Sequence, residues 1–234
     1  MSADQLTGSD ESFLCHLDEH HRLHPQAAAA LQRLQLSASK AGFDLQPVSC
    51  FRSFERQLAI WNQKAGGQRP VLDSSGNPLR RDELDDWAWV QAILRWSALP
   101  GASRHHWGSD LDVYDAAAVP VDYAVQLTPD EVNVGGPFAP LHEWLDARIA
   151  EGSSEGFFRP YAFDSGGVAP ERWHLSYAPI AAECERQLTI DCLLARIRGC
   201  ETFALREVVE EHCEEIFERF VKPAQAAITQ DAFL

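Results

Sequence analysis

The sequence is poor in bases. Lys and Arg together number 20 against 35 Asp and Glu, for a formal charge of -15. No basic stripe is available to displace counterions from a phosphate backbone, which argues against nucleic acid as a partner. The same deficit argues against docking on an anionic membrane surface. No apolar run reaches the roughly 18 residues needed to cross a bilayer. The opening stretch MSADQLTGSDESFLCHLDEHH also lacks the basic segment and apolar core of a secretory signal, so a cytoplasmic location is expected. The six cysteines (Cys15, Cys50, Cys184, Cys192, Cys200, Cys213) form no CxxC pair and are widely spread. In a reducing compartment they read as free thiols and small core residues. There is no internal repeat and no low-complexity segment.

What is present is ordinary globular material. The chain of 234 residues is 45% hydrophobic and 24% charged, with seven Trp and twelve Phe to build a core. A helix is expected from Pro25, a favoured first helical residue, to a stop at Gly42. Residues 43–51 alternate like a strand. Ser53 is a candidate N-cap for a helix that runs to Gly66-Gly67. A loop follows over 66–80, then a helix over 81–99 with acids in its first turn. "LDVYD" has strand character, 139–152 reads as a helix, and 156–177 as strand, loop, strand. Two or three helices are expected between Pro179 and Val221. In the last, Leu205, Val208, Val209, Ile216, Phe217 and Phe220 share one face. His16, His20, His21 and His24 cluster near the start, and a solvated arm is the simpler reading there than a metal site.

Three short segments carry the chemistry. In "SRHHWGSDLDVYD", His105 and Asp112 are seven residues apart, an odd spacing that a straight strand would place on opposite faces. A turn at Gly108 lets them converge. "ERWHLSY" then sets Glu171 close to His174. Two His and one Asp would offer zinc three ligands and leave a fourth position for water, the arrangement of a catalytic site. A carboxylate nearby that is not a ligand can take the water's proton, a role Glu171 fits. Finally, "CFRSFERQ" places Arg52 at a strand-to-helix junction. There it can fork onto a carboxylate or a developing oxyanion, or simply form a surface salt bridge.

Taken in order, these segments resemble the zinc D-alanyl-D-alanine carboxypeptidases of the VanY and VanX type, peptidase family M15. The resemblance rests on Arg52-Ser53 with Gln57, on Ser103-x-His105 with Gly108 and Asp112, and on Glu171-x-Trp173-His174. It spans roughly residues 25–180. It implies an α+β fold, a small antiparallel sheet flanked by helices, of the kind shared by DD-peptidases and the Hedgehog signalling domain. It implies one zinc ion on His105, Asp112 and His174. Glu171 would be the general base and Arg52 would stabilise the oxyanion. Ser103 and Gln57 would hold substrate. Trp173, like Trp107, would wall the cleft. The implied reaction is removal of a terminal D-residue from peptidoglycan stem peptides or muropeptides. Cleavage of an L,D bond, endopeptidase action, or a non-catalytic zinc domain that binds peptides are the rivals. A pure binder has no need of Glu171.

One position departs from the family. Where Asp110 stands, relatives carry a small residue, often Ala. Asp110 shares a strand face with Asp112, so it is expected to support the metal site or bind a substrate amine. His106 is expected to be structural. The chain is divided accordingly into a polar arm over 1–24, a peptidase domain over 25–185, and extra C-terminal helices over 186–234 packed on it. The sequence does not fix the oligomeric state.

Overall fold

The computed structural model describes residues 1–222. In chain order these form α1 (Ala3–Leu6), a hairpin of β1 (Cys15–His16) and β2 (Arg22–Leu23), α2 (Pro25–Lys40), β3 (Leu45–Ser49), α3 (Phe54–Ala65) and α4 (Asp86–Trp96). Then come β4 (Asp110–Asp115), α5 (Pro129–Val132), α6 (Ala139–Ala150), β5 (Phe157–Phe158) and β6 (His174–Tyr177). The described residues end in α7 (Ala178–Gln187), α8 (Ile190–Arg198), α9 (Arg206–Glu211), α10 (Cys213–Ile216) and a wide helical turn, Phe217–Val221. This is the expected α+β class, a small antiparallel sheet with helices around it.

The sheet has the order β3-β4-β6-β5 and every pair is antiparallel. Its two faces differ in kind. Leu45, Leu111, Val113 and Leu175 point into a core shared with α2 and α6, where Leu31, Leu34, Leu141 and Leu145 are all buried. Each such side chain stabilises the fold by about 1.5–3 kcal/mol when removed from water. The opposite face carries Asp110, Asp112, His174 and Ser176. These are buried too, but against polar partners. Strand alternation makes this split obligatory: placing Leu111 and Leu175 in the core sends their neighbours to the other side. A second core, under α3, α4 and α7 to α10, holds Phe54, Trp61, Trp89, Trp107 and Phe158.

Several local expectations are refined. Ser53 does cap α3, its hydroxyl accepting from the Arg56 N–H. The expected 81–99 helix is split. Arg81–Glu83 forms one tight turn, Leu84 is extended, and Asp85 caps a new start by accepting from Ala88 N–H. The last expected helix is likewise broken at His212, whose ring stacks on Trp87 at 3.9 Å. Its apolar face survives the break, because Val209, Ile216, Phe217 and Phe220 are all buried. The part of the expected C-terminal extension beyond residue 222 lies outside the described residues. All six cysteines are unpaired.

Residues 1–24 are not a free arm. The Leu6 carbonyl accepts from Trp107 Nε1 at 3.1 Å, and the Gly8 carbonyl accepts from Phe54 N–H at 2.8 Å. Leu23 is wholly buried. His24 caps α2, and His21 pairs with Asp18 at 2.7 Å. The polar composition of the segment hid these few anchoring residues.

Candidate active site

The site is built on β4, β6 and the turn before β4. Asp112 and His174 are directly opposed across the two strands, and Asp110 faces Ser176 two residues along. His105 lies in a tight turn, Arg104–Trp107, that ends at Gly108 with φ +64. A side chain at Gly108 would be strained by that φ, and its Cβ would fall 2.4 Å from Leu14 Cδ2. This left-handed turn swings His105 back over the sheet. Its Nε2 lies 3.5 Å from Asp112 Oδ2, and the His105 and His174 rings meet edge to face at 4.8 Å. One ligand atom from each of His105, Asp112 and His174 lies within 4.8 Å of the others. Among the described residues, this is the one such group of His, Cys, Asp and Glu.

Outer partners fix how the imidazoles present themselves. His105 Nδ1 donates to the Cys50 carbonyl at 2.8 Å, which leaves Nε2 as a bare lone pair. Burial depresses the His105 pKa to about 4 even though Asp112 opposes the shift, so the ring is neutral near pH 7. His174 Nε2 donates to Asp110 Oδ1 at 2.9 Å. Its Nδ1 faces Asp112 Oδ1 at 3.3 Å and Glu171 Oε2 at 3.5 Å. Burial alone would lower the His174 pKa, but contacts with Asp110, Asp112 and Glu171 raise it well above the usual value. For Asp112, burial alone would raise the pKa, but His105 and His174 overcome it and keep the carboxylate ionised.

The donor set fits a divalent cation. Asp112 Oδ1 is buried, and among the described residues no donor meets it in hydrogen-bond geometry, His174 Nδ1 at 3.3 Å included. A buried carboxylate oxygen left this way is costly, and a cation on the same side relieves it. His105 Nε2, Asp112 and His174 Nδ1 would hold the ion, each steadied from behind. Two imidazoles and a carboxylate are a ligand set that zinc accepts.

The surroundings were only partly foreseen. Gln57 was expected to hold substrate, and Asp110 either to support the metal site or to bind a substrate amine; both side chains are enclosed by protein partners. Both are 0% exposed. The Asp110 oxygens are taken by Arg104 Nε (2.8 Å), His174 and the Ser109 hydroxyl (2.5 Å). Arg104 in turn binds Glu185 and the Ser176 hydroxyl. Gln57 donates to the Ala98 carbonyl at 2.6 Å and accepts from Arg52 Nη1 at 2.8 Å, so it holds an arginine rather than a ligand. Trp107 sits in the second core, not in the cleft. His106 is fully buried between the Arg52 carbonyl, to which its Nδ1 donates at 2.6 Å, and Gly101 N–H, from which its Nε2 accepts. Burial keeps it neutral, with a pKa near 3.

Arg52, Ser103 and Trp173 do line a cleft of about 420 Å³, together with Glu171 and the three metal-site residues. The residues missed by sequence reasoning are Arg104 and Glu185 behind His174, Tyr161 against its ring at 5.2 Å, and Lys64 near Glu171. Burial lowers the Lys64 pKa to about 8, partly offset by Glu171. Arg104 lay in the quoted motif, but a buried arginine between two acids has no sequence signature. Glu171 is held by its own N–H donating to the Tyr161 carbonyl, and the loop before it is pinned to α4 through Ala169 N–H and the Arg95 carbonyl.

Residues 20–180 match the VanY family of D-alanyl-D-alanine carboxypeptidases. The chain belongs to that family. An uncharacterised protein of Haemophilus influenzae is 50% identical over 103 residues, which cover 42% of this chain and 70% of that one. Among solved structures, the fold is similar to that of a point variant of the vancomycin-resistance D,D-pentapeptidase VanY in complex with Zn(II). That likeness has a TM-score of 0.50 and 21% identity, over 74% of this chain and 84% of that one. It is also similar to the LD-carboxypeptidase LdcB, with a TM-score of 0.51 and 20% identity, over 78% and 77%. These likenesses are of fold. Among the described residues, no helix is long and apolar enough to cross a membrane.

Proposed function

We propose that the protein is a zinc-dependent carboxypeptidase that removes a C-terminal D-residue from peptidoglycan-derived peptides. One observation carries this reading. Glu171, His105, Asp112 and His174 converge at the wall of one cleft, with Glu171 Oε2 3.5 Å from the cleft-facing nitrogen of His174. Membership of the VanY family and the Zn(II) complex of a structural relative support it.

The residues divide the work in a chemically balanced way. A zinc ion on His105, Asp112 and His174 would supply Lewis acidity and bring the pKa of water toward about 7. Glu171 takes the proton of the attacking water and delivers it to the departing amine. Arg52 reaches the same cleft and is kept in place by Gln57 and the Ser49 hydroxyl, so its remaining N–H groups can meet negative charge growing on the carbonyl oxygen. Its positive charge also suits the carboxylate that ends the peptide. Ser103, at the cleft wall beside His105, offers a hydroxyl to the substrate backbone.

The test is a panel of peptides ending in D-Ala-D-Ala or in L-Lys-D-Ala, assayed on zinc-loaded protein. Glu171→Gln is expected to keep its zinc and lose about 10²–10⁴ in turnover. Full activity in that variant, or in chelator-stripped protein, would overturn the reading. The same panel separates D,D from L,D cleavage.

A further inference from the structure

Beside the metal cleft lies a second cavity of about 550 Å³. The two share the walls formed by Trp96 and Trp173. The second one contains three arginines, Arg95, Arg159 and Arg172, against two acids, Asp146 and Asp164. Asp146 is shared. It accepts from Arg159 Nε at 2.7 Å and from Arg172 Nη2 at 2.6 Å and Nε at 3.0 Å. Among the described residues, Asp164 is matched by Arg95 alone. One guanidinium charge is therefore left over.

Its hydrogen-bonding capacity is also incomplete. Arg159 is 8% exposed, yet its Nη1 meets no acceptor among the described residues, and Arg95 Nε meets none either. Among the described residues, Arg159 Nη2 has only two long contacts, both 3.4 Å, to His142 Nδ1 and the His142 carbonyl. The local field is positive enough to help hold His142 neutral: burial is the larger cause, and Arg159 and Arg172 add to it. This stands out in a chain of charge -15 with 20 bases, of which seven line these two adjoining cavities.

We propose that the second cavity is an anion subsite that takes a free carboxylate of the substrate peptide, on the amino-terminal side of the cleaved bond. The proposal rests on the carboxypeptidase reading above. A carboxypeptidase substrate has one residue beyond the cleaved bond, and its terminal carboxylate lies within reach of the cations of the metal cleft. A separate cavity past Trp96 and Trp173 can be reached only by the longer, amino-terminal portion. A carboxylate there meets the open donors of Arg159 and Arg95 and neutralises the surplus charge, with planar geometry suited to guanidinium. Peptides whose internal carboxylate has been converted to a carboxamide are then poorer ligands.

The experiment uses the zinc-loaded protein and a pair of peptides that end in the same D-residues. They differ only in a side carboxylate, free or amidated, upstream of the cleaved bond. Amidation is expected to raise KM about tenfold and leave kcat within about twofold, since the contact is made equally in ground and transition states. In Arg172→Gln the acid-to-amide ratio falls toward one. Because the ratio is first read on the wild type, a variant that fails to fold does not decide the matter. Hydrolysis of both peptides with equal KM overturns the subsite and leaves the peptidase reading standing. If neither peptide is cleaved, calorimetric titration of each decides. Tighter binding of the free acid supports the subsite while overturning the peptidase reading, and equal or absent binding overturns both.

Discussion

Asp110 Oδ1 accepts a hydrogen bond from His174 Nε2 at 2.9 Å, on the side of the ring away from the cleft. The pair is fully enclosed, and Arg104 Nε binds the same oxygen at 2.8 Å. A carboxylate behind a ligating imidazole fixes its orientation and raises its basicity. Asp110→Asn is therefore expected to weaken zinc affinity by about 10–100-fold. Competition with a chromogenic chelator measures this directly. Unchanged affinity, with altered substrate preference instead, would return Asp110 to the cleft.

Arg52 is the second dependence. Its guanidinium is anchored by Gln57, which is itself tied to the backbone at Ala98. Arg52→Ala is expected to lower kcat by about 10²–10³ with zinc content unchanged. Gln57→Leu should act in the same direction but less, through a loosened Arg52. Steady-state kinetics alongside metal analysis separates these effects from loss of the ion.

Metal removal should be visible without any substrate. An ion that binds only the folded state stabilises it by roughly 4 kcal/mol at about a thousand times its dissociation constant. Chelation should lower Tm, and zinc should restore it in a concentration-dependent way. Contacts with Asp110, Asp112 and Glu171 favour the protonated form of His174, so binding of an ion there is expected to release a proton. Titrations in buffers of different ionisation enthalpy should report that release. A Tm indifferent to zinc would argue against the assigned ligands.

His142 sets an acid limit on stability. It is fully buried, and burial, helped by Arg159 and Arg172, lowers its pKa from 6.5 to about 3. Between those values the unfolded chain binds a proton that the folded chain refuses. Stability is therefore complete above about pH 6.5 and is lost as pH falls toward 3, by up to about 1.4 kcal/mol per pH unit. His105 and His106 act in the same direction. In His142→Leu the slope of unfolding free energy with pH over this window should drop by about one proton. An unchanged slope would show that His142 is already protonated in the fold.

Much of this was legible in the sequence wherever a local rule governs. Ser53 announces its helix, Gly108 its turn, and the alternation around Leu111 the two-faced strand. The candidate metal set could be named because its members lie in two short motifs. Asp110 was marked as anomalous, but which way it faced depended on Arg104, and Arg104 on Glu185 some eighty residues further along. Contacts of that range leave no periodicity to read. The same holds for residues 1–24. Their few buried anchors, Leu6 and Leu23, are outnumbered by polar neighbours, and Trp107 goes to the core rather than the cleft because its indole N–H finds the Leu6 carbonyl. Arg95, Arg159 and Arg172 come from three separate segments, and only the folded chain gathers them.

The opposed pairing of Asp112 with His174 has a practical consequence for anyone who makes this protein. A slip of β6 by one residue would put Leu175 where His174 stands, stranding a leucine among carboxylates and an imidazole in oil. The error would spoil the packing and the ion's ligands together. If the site takes zinc as proposed, the zinc-to-protein ratio of a preparation also reports how many sheets are correctly registered, readable before a substrate is in hand.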